Sequence, residues 1–292
     1  MNQKSTFFSI IIPTYNRPKQ LSACLRSVSG LNYPRDRFET IVVIDGGNSS
    51  MAGITEAFGN QFDITVIRQA HAGPATARNT GAAKARGEYL AFTDDDCRPD
   101  PFWLQNLAIR FAGSPNTLVG GRTLNALPGN TFSATSQMLI DYLYSYYNAD
   151  PEDARFLTSN NLSLPAESFH ALNGFDTTFI RAGGEDREFC DRWIHQGRKI
   201  KCAPKALVYH LHALSLHTFF RQHFHYGRGA FCFYRSRENR SMKLEPRAFY
   251  VNLMYYPLRQ SKGLRPLLSA TLMAVSQLAN ALGYYWEHTI SK

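Results

Sequence analysis

Three consecutive carboxylates, Asp94, Asp95 and Asp96, follow an apolar run that ends at Phe92. Two like charges about 4 Å apart repel each other by about 4 kcal/mol at an effective dielectric constant of about 20, and a solvated turn could spread that repulsion through water. The alternative is a hard cation, because Mg²⁺ or Mn²⁺ binds carboxylate oxygens together with substrate phosphates. In a D-x-D turn after a strand, Asp96 can bind the metal while Asp94 faces a ribose or shares the water shell of the metal. The triplet alone does not decide between the two.

The elements around the triplet alternate between strand and helix in the first half of the chain. Continuous apolar runs predict four strands, and good helix formers predict three helices between them. The strands are Phe7–Ile12, Thr40–Ile44, Ile64–Ile67 and Glu88–Phe92, and the helices are Pro18 to about Ser29, Ala75–Ala85 and Pro101–Phe111. This alternation is typical of an α/β fold with a mostly parallel sheet. The polar segments 13–17, 45–49 and 94–98 each follow a strand, so they should lie at one edge of the sheet, where a nucleotide would bind.

The second half of the sequence is less regular. It predicts helices over Phe132–Tyr147 and Glu185–His195, short strands over Ser159–Leu164, Lys199–Cys202 and Ala206–Tyr209, and a helical, aromatic region from Leu214 onward. The chain has 292 residues, of which 44% are apolar, so it can bury a sizeable core and intrinsic disorder is excluded. One large α/β domain with an appendage is the expected organisation.

The distribution of charge and the use of cysteine indicate the kind of binding partner and the cellular compartment. Residues 1–197 carry 17 Lys and Arg against 20 Asp and Glu, a net charge of −3, whereas residues 198–292 carry 15 against 3, a net charge of +12. Such asymmetry indicates a surface that meets membrane headgroups, an anionic substrate or nucleic acid. The five cysteines form no C-x-x-C pair, which favours a reducing compartment. The first apolar run is too short for the core of a signal peptide, so we expect no secretion.

Five motifs, in order along the chain, resemble those of the family 2 glycosyltransferases of GT-A fold, which transfer a sugar from a nucleotide-sugar. They are Ser9-Ile-Ile-Ile-Pro-Thr-Tyr-Asn-Arg-Pro18, Val43-Ile-Asp-Gly46, Gly73-Pro-Ala-Thr-Ala-Arg-Asn-Thr-Gly81, Thr93-Asp-Asp-Asp-Cys97 and Gly183-Gly-Glu-Asp186. The resemblance covers roughly residues 7–235. It implies a nucleotide-sugar-binding half at 1–125, an acceptor-binding and catalytic half at 126–213 and a basic, aromatic helical appendage at 214–292.

The resemblance also implies a donor site. It assigns the nucleotide-sugar to Pro13, Thr14, Tyr15, Asn16, Asp45, Arg78, Asp94 and Asp95. Tyr15 would stack on the base, and Asp45 would accept a hydrogen bond from a uracil imide, which favours UDP. Arg78 would reach the base or the phosphates. The alternatives are simple packing for Tyr15 and an ordinary surface cation for Arg78.

The metal and the catalytic base are implied in the same way. Mn²⁺ or Mg²⁺ would be bound by Asp96 and Asp94, with His210 as a further ligand at the end of a late strand; the alternative for His210 is a hydrogen-bonded structural role. Inverting transfer needs one base to remove the proton of the acceptor hydroxyl. That role maps to Asp186, with Glu185 beside it. The alternative is helix capping, since acids in a first turn stabilise the helix dipole.

The acceptor is less defined by the sequence. Asn160 and Asn161 form a weak candidate polar patch, and a cell-surface glycan or a lipid-linked precursor is the expected acceptor. Segment 266–286 is long enough for a membrane span but contains several polar residues, so an interfacial helix fits better; packing on the domain or on a second subunit, or a true span, are the alternatives. We therefore expect a cytoplasmic enzyme, peripheral at the inner face of the cell membrane, and homo-oligomeric assembly is compatible with the sequence.

Two other functional classes, a nucleic-acid-binding protein and a non-catalytic nucleotide-sugar binder, are the alternatives to a transferase. Interleaved cations and aromatic residues after Leu214 can bind single-stranded nucleic acid, but that reading leaves the ordered motifs of the acidic first two-thirds unexplained, so no nucleic-acid partner is expected. A non-catalytic nucleotide-sugar binder would not need intact Asp94, Asp96 and Asp186. The sequence thus favours an enzyme of the hexosyltransferase type.

Overall fold

The fold is an α/β arrangement with a group of long helices at its C-terminal end. The computed structural model describes residues 6–47, 53–54, 57–181, 183–237, 245–260 and 264–291. The strands are β1 (Phe8–Thr14), β2 (Phe38–Asp45), β3 (Asp63–Gln69), β4 (Tyr89–Phe92), β5 (Cys97–Pro99), β6 (Leu118–Asn125), β7 (Leu162–Pro165) and β8 (Ile200–His210). The helices are α1 (Pro18–Ser29), α2 (Pro74–Ala82), α3 (Trp103–Gly113), α4 (Thr131–Tyr147), α5 (Ala166–Ala171), α6 (Glu185–His195), α7 (Leu216–Ser236), α8 (Arg247–Gln260) and α9 (Leu264–Ile290).

The strands form one sheet in the order β3-β2-β1-β4-β7-β6-β8-β5. The first four strands of that order are parallel to one another. β2 is buried along its whole length, which explains why the sequence shows a continuous apolar run there instead of an alternating one. The predicted parallel half is therefore confirmed, and the carboxyl ends of β1, β2 and β4 meet at one edge of the sheet.

The other half of the sheet is mixed. β7 is antiparallel to both β4 and β6, and β5 is antiparallel to β8. The two short strands predicted within 199–209 are a single strand, β8, whose register against β6 shifts between Gly121 and Arg122. Pro204 lies in the extra segment of β8, where a residue without an N–H group interrupts the ladder.

Two apolar layers cover the sheet. On one side, α1 and α3 contribute Leu21, Leu25 and Trp103 to a cluster with β1 and β2. On the other side, Phe169, Phe189 and other residues of α5 and α6 pack against β4 and β7. These layers hold the strands rigidly, so the turns that leave the strand ends have fixed positions.

The C-terminal helices pack on the domain and on one another. α9 contacts α7 most extensively, and it also contacts α8 and α4. Gly227 of α7 and Gly283 of α9 lie against the backbone of the opposite helix, so a Cβ atom at either position would collide with a carbonyl group. Among the helices of the described residues, none combines the length and apolar content needed to cross a bilayer. The contacts with α4, α7 and α8 lie along one side of the segment 266–286.

Candidate active site

A cleft of about 1700 Å³ opens beyond the carboxyl ends of β1, β2 and β4 and runs toward α6 and α7. The predicted site residues that line it are Pro13, Thr14, Tyr15, Asp45, Arg78, Asp94, Asp95, Asp96, Glu185, Asp186 and His210. Asn16 does not line the cleft; its positive φ of 53° turns the chain after β1. The structure thus brings together residues that are as far apart in the sequence as Pro13 and His210.

Asp45 lies at the end of β2, where its buried carboxylate is held by four donors. Oδ1 accepts hydrogen bonds from Gln69 Nε2 at 2.7 Å and from the backbone N–H of Ala72 at 2.9 Å. Oδ2 accepts from the backbone N–H of Gly73 at 2.9 Å and lies 2.9 Å from His71 Nδ1. The carboxylate is therefore fixed in orientation at the start of α2.

His71 is a residue of this region to which the sequence analysis assigned no role. Its ring stacks on the ring of Tyr15, with centroids 4.4 Å apart and planes 29° from parallel. Both side chains are about half exposed at the mouth of the cleft. No local motif marks His71, because its partners Tyr15 and Asp45 come from two other strand ends.

The triplet is surrounded by cations. Asp94 accepts a hydrogen bond from Arg78 Nη2 at 2.7 Å, and Arg17 Nη1 lies 3.2 Å from Asp95 Oδ1 and 3.0 Å from Asp96 Oδ2. Asp95 is the buried member, and it also accepts a bond of 2.7 Å from the Thr14 hydroxyl. Burial raises the pKa of Asp95 to about 7, even though Arg17 opposes the rise.

Asp96, His210 and His212 form a cluster with metal-ligand geometry. One ligand atom from each lies within 4.8 Å of the others, and His210 Nε2 is 3.3 Å from Asp96 Oδ1. Burial opposes ionisation of Asp96, but the hydrogen bond and charge of His210 outweigh it and hold the pKa of Asp96 well below its usual range. Burial and the charge of His210 lower the pKa of His212 to about 4, so its imidazole is neutral near pH 7.

This cluster fits a divalent transition metal. One carboxylate and two imidazoles form a mixed oxygen and nitrogen set, whereas Mg²⁺ prefers oxygen ligands in near-ideal octahedral geometry. The set contains the predicted ligands Asp96 and His210, and it adds His212, which the sequence analysis did not assign. Asp94, the other predicted ligand, lies outside the cluster because Arg78 holds it.

Arg78 connects the triplet to the second acidic group. The guanidinium is buried, and it donates to Asp94 and, from Nη1 at 3.1 Å, to Glu185 Oε1. Glu185 is also buried, and its second oxygen accepts a 2.8 Å bond from the backbone N–H of Gly183. Arg78 is thus an internal bridge between two acidic groups, which differs from the surface cation considered as the alternative.

Asp186 has a different environment from the other carboxylates. It accepts hydrogen bonds from the backbone N–H groups of Arg187 at 2.8 Å and Ser159 at 3.4 Å. Burial, together with the neighbouring charge of Glu185, raises the pKa of Asp186 to about 7. A carboxylate with that pKa can accept a proton near neutral pH.

The turn before Asp186 requires glycine. Gly183 and Gly184 have φ values of 122° and 99°, a region that residues with side chains rarely adopt. A Cβ atom on Gly184 would lie 2.8 Å from the carbonyl oxygen of Gly229 in α7. The two glycines therefore let the turn before Asp186 approach the C-terminal helices closely.

The sequence of this chain matches the models of two known protein families. The model described as glycosyl transferase family 2 matches residues 9–172, which is more than half of the chain. The chain belongs to glycosyl transferase family 2. A second model, described as the N-terminal domain of galactosyltransferase, matches residues 146–215 and so includes the turn that holds Asp186. The predicted family and its enzyme class are thereby confirmed.

Curated relatives in glycosyl transferase family 2 are longer than this chain. A pre-mycofactocin glycosyltransferase of Mycobacterium tuberculosis is 28% identical over 227 residues, which cover 76% of this chain and 46% of that protein. A chondroitin synthase of Escherichia coli is 27% identical over 235 residues, which cover 69% of this chain and 34% of that protein. The chain thus spans less than half the length of these relatives.

Solved structures share the fold at low sequence identity. The mannosyltransferase PcManGT from Pyrobaculum calidifontis, in complex with GDP-Man and Mn²⁺, has a TM-score of 0.72 at 16% identity and covers 98% of this chain and 88% of its own. A fragment of TarS from Staphylococcus aureus, in complex with UDP-GlcNAc, has a TM-score of 0.56 at 17% identity and covers 98% and 91%. The predicted GT-A fold is confirmed.

The structure places the two residues of the predicted acceptor patch, Asn160 and Asn161, in different environments. Asn160 lines the cleft and accepts a 3.1 Å bond from the Thr123 hydroxyl. Asn161 is fully buried, accepts a 2.8 Å bond from Trp103 Nε1 and donates to the carbonyl of Ala206. Asn161 therefore has a structural role, and the prediction that it belongs to a ligand-binding patch was wrong.

A basic wall of the cleft was not predicted. Arg221 and His225 lie one turn apart on α7, and His225 Nε2 is 3.4 Å from Arg181 Nη1. All three side chains line the cleft. The four-residue spacing of Arg221 and His225 is a signal that could have placed both on one face of a helix.

Proposed function

We propose that this protein transfers a sugar, with inversion, from a nucleotide-sugar to an acceptor hydroxyl, with Asp186 as the base. The observation that carries the proposal is the environment of Asp186. Its pKa is raised to about 7, and it lines the same cleft as the carboxylate of Asp45 and the cluster of Asp96, His210 and His212. A proton acceptor, a base-binding carboxylate and a metal-ligand cluster in one cleft support a direct displacement at the anomeric carbon.

The donor would bind along the edge formed by β1, β2 and β4. Tyr15 supplies a ring for stacking, and Asp45 a carboxylate that can accept a hydrogen bond from a base N–H group. A uracil N3–H group satisfies that contact, so a UDP-sugar is our favoured donor. PcManGT was solved with GDP-Man and TarS with UDP-GlcNAc, and guanine N1–H offers the same chemistry. GDP is therefore the competing nucleotide in the test below.

Mn²⁺ is the favoured cofactor, held by Asp96, His210 and His212, with Mg²⁺ as the alternative. When bound, such an ion supplies Lewis-acid charge that stabilises the diphosphate leaving group. Asp94 and Arg78 remain paired beside it and would face the ribose and the phosphates. Arg181 and Arg221 of the basic wall would add positive charge on the far side of the cleft, whereas burial and the neighbouring arginines lower the pKa of His225.

Asp186 would carry the proton transfer. As the acceptor oxygen forms its bond to the anomeric carbon, its O–H proton passes to Asp186. The bond between that carbon and the diphosphate oxygen breaks, and its electron pair stays on the diphosphate. The backbone N–H groups of Arg187 and Ser159 keep the carboxylate in place during the transfer. The geometry of attack from the opposite face leads to inversion.

The acceptor we favour is a glycan or a lipid-linked precursor at the inner face of the cell membrane. Between 267 and 286, every exposed residue of α9 is uncharged: Leu267, Leu268, Thr271, Ala274, Leu278, Ala281, Leu282, Tyr285 and Trp286. A face of this kind beside a segment of net charge +12 suits an anionic interface. All five cysteines are free thiols, which is in keeping with a cytoplasmic location.

Vesicle sedimentation tests the membrane proposal. The protein should sediment with vesicles that contain anionic lipid and much less with zwitterionic ones, and the double change Leu278→Glu and Leu282→Glu should abolish sedimentation. Ile109→Glu is the matched control, because Ile109 is an exposed apolar residue on α3. Equal sedimentation of all variants, or none with either vesicle, would show that α9 has another partner.

Calorimetric titration tests the catalytic proposal. UDP, GDP and dTDP are titrated with Mn²⁺ and with EDTA into the natural protein and into Asp96→Ala. We expect UDP binding that is lost with EDTA and weakened at least about 100-fold in Asp96→Ala, since removal of a metal ligand removes most of the metal affinity. Binding of nucleotide-sugar without transfer to any acceptor would support a non-catalytic binder, and no nucleotide binding would reject the donor site.

A further inference from the structure

We propose that His71 occupies the nucleobase position and competes with the base of the donor for Tyr15 and Asp45. This inference rests on the proposed function, which assigns the base to those two residues. His71 makes, within the protein, the same two contacts: an aromatic ring stacked on Tyr15 and a ring N–H directed at the Asp45 carboxylate. An internal group that makes both contacts of a ligand must leave before the ligand can make them, so it affects the affinity and the binding kinetics of that ligand.

The stacking distance leaves no space for a base between the two rings. The centroids of Tyr15 and His71 are 4.4 Å apart. A planar base inserted between two rings needs about 7 Å, twice the contact distance of about 3.5 Å. A base that stacks on this face of Tyr15 must therefore displace the imidazole of His71. The two rings cannot hold a base between them.

The hydrogen bonds lead to the same conclusion. His71 Nδ1 lies 2.9 Å from Asp45 Oδ2 and 3.0 Å from the Asp45 carbonyl oxygen. Both of these oxygens are acceptors, so Nδ1 is the donor. With the bonds from Gln69, Ala72 and Gly73, each carboxylate oxygen of Asp45 already has two partners, which matches its acceptor capacity. A base N–H can bond to Asp45 in full only when one donor leaves.

His71 is the donor that can leave at least cost. The bonds from Ala72 and Gly73 come from the backbone at the start of α2, and Gln69 is a less exposed side chain of β3 that bonds to the other oxygen, Oδ1. The imidazole of His71 is about half exposed and needs only a side-chain rotation. Gly46, with a φ of 78°, makes room for the occupied position, because a Cβ atom there would lie 2.9 Å from His71 Cβ. Rotation toward solvent would free one face of Tyr15 and one lone pair of Asp45 Oδ2.

The test compares ligands with and without a base. UDP and inorganic pyrophosphate, each with Mn²⁺, are titrated into the natural protein, His71→Ala and His71→Asn. We expect His71→Ala to bind UDP about three- to tenfold more tightly, the factor for one lost ring stack, and His71→Asn to show a smaller gain. Pyrophosphate affinity should be the same in all three. His195→Ala, at the exposed end of α6, is the matched control and should bind both ligands as the natural protein does.

A second measurement uses the natural protein alone. The ring signals of His71 in a nuclear magnetic resonance spectrum should shift when UDP with Mg²⁺ is added and stay in place with pyrophosphate. UDP binding that is equal or weaker in His71→Ala, or His71 signals that do not respond to UDP, would overturn the inference and leave the proposed function intact. If neither UDP nor GDP binds the natural protein or His71→Ala, the proposed function and this inference fail together.

Discussion

The two acidic groups of the cleft have opposite electrostatic environments. Each carboxylate of the triplet has a cationic partner: Asp94 has Arg78, Asp95 has Arg17, and Asp96 has Arg17 and His210. Asp186 instead accepts bonds from backbone N–H groups, and Glu185 takes the cation beside it. The pKa of Asp96 is accordingly lowered, whereas burial raises the pKa of Asp186 to about 7 and, despite its pairing with Arg17, that of Asp95 to about 7 as well. Under the proposed function, the first environment would keep Asp96 charged for a cation, and the second would prepare Asp186 to accept a proton.

The change Asp186→Asn tests this comparison most directly and should have the largest effect on the rate of sugar transfer. An amide cannot accept the proton, so we expect the rate of sugar transfer to fall by about 10²–10⁴-fold while UDP binding stays within about twofold of its natural value. Transfer assays and calorimetric titration measure the two quantities. Asp153→Asn, which changes an exposed acid, is the control. Near-normal turnover in Asp186→Asn would show that another group is the base.

The pH dependence of transfer should follow Asp186. Because its pKa is raised to about 7, the carboxyl is mostly protonated below that pH and cannot accept a proton. We expect kcat/KM to fall about tenfold for each pH unit below 7 and to level off above it. Asp95 titrates in the same range, so UDP binding is measured across it in parallel. A rate that follows nucleotide binding at every pH would assign the effect to Asp95 and the donor site.

The change Arg78→Lys should have the smallest effect on the rate and should mainly affect stability. An ammonium group keeps the charge but cannot donate to Asp94 and Glu185 at the same time, because it lacks the planar fork of a guanidinium. Leaving one buried carboxylate without its cation should lower the free energy of unfolding by about 2–4 kcal/mol. Urea denaturation measures the change, with Arg98→Lys, which changes an exposed residue of β5, as control. An unchanged midpoint would show that Arg78 bridges the acidic groups without stabilising the fold.

The parallel half of the sheet could be predicted from the sequence because its information is local. Continuous apolar runs mark β1, β2 and β4, and the right-handed connections between parallel strands place their polar ends together. The position of β7 could not be predicted in that way. It pairs antiparallel with β4, more than 70 residues earlier in the chain, and such a pairing depends on tertiary packing that no local pattern records.

The same limit applies within the site. Motifs identified Asp45, the triplet and the pair Glu185–Asp186, and the structure brings all of them to one cleft. Arg17 lies inside the first motif, but its role depends on Asp95, which is 78 residues away. His71 was missed for a similar reason, since its partners come from other strand ends. His212 follows the predicted ligand His210 by two residues, but its partner Asp96 comes from a distant part of the chain. The sequence showed which acids take part, and the fold shows which cations and imidazoles surround them.

The cations of the triplet also bear on the order of events when the protein is made. Arg17, Arg78 and His210 compensate the carboxylates from within the chain. Small metal-dependent domains, by contrast, fold only when their ion is present. A newly synthesised copy of this protein is therefore expected to reach its native state in a metal-poor environment and to acquire its ion afterwards. Metal supply would then govern how much of the protein is active, and it would leave resistance to proteolysis unchanged.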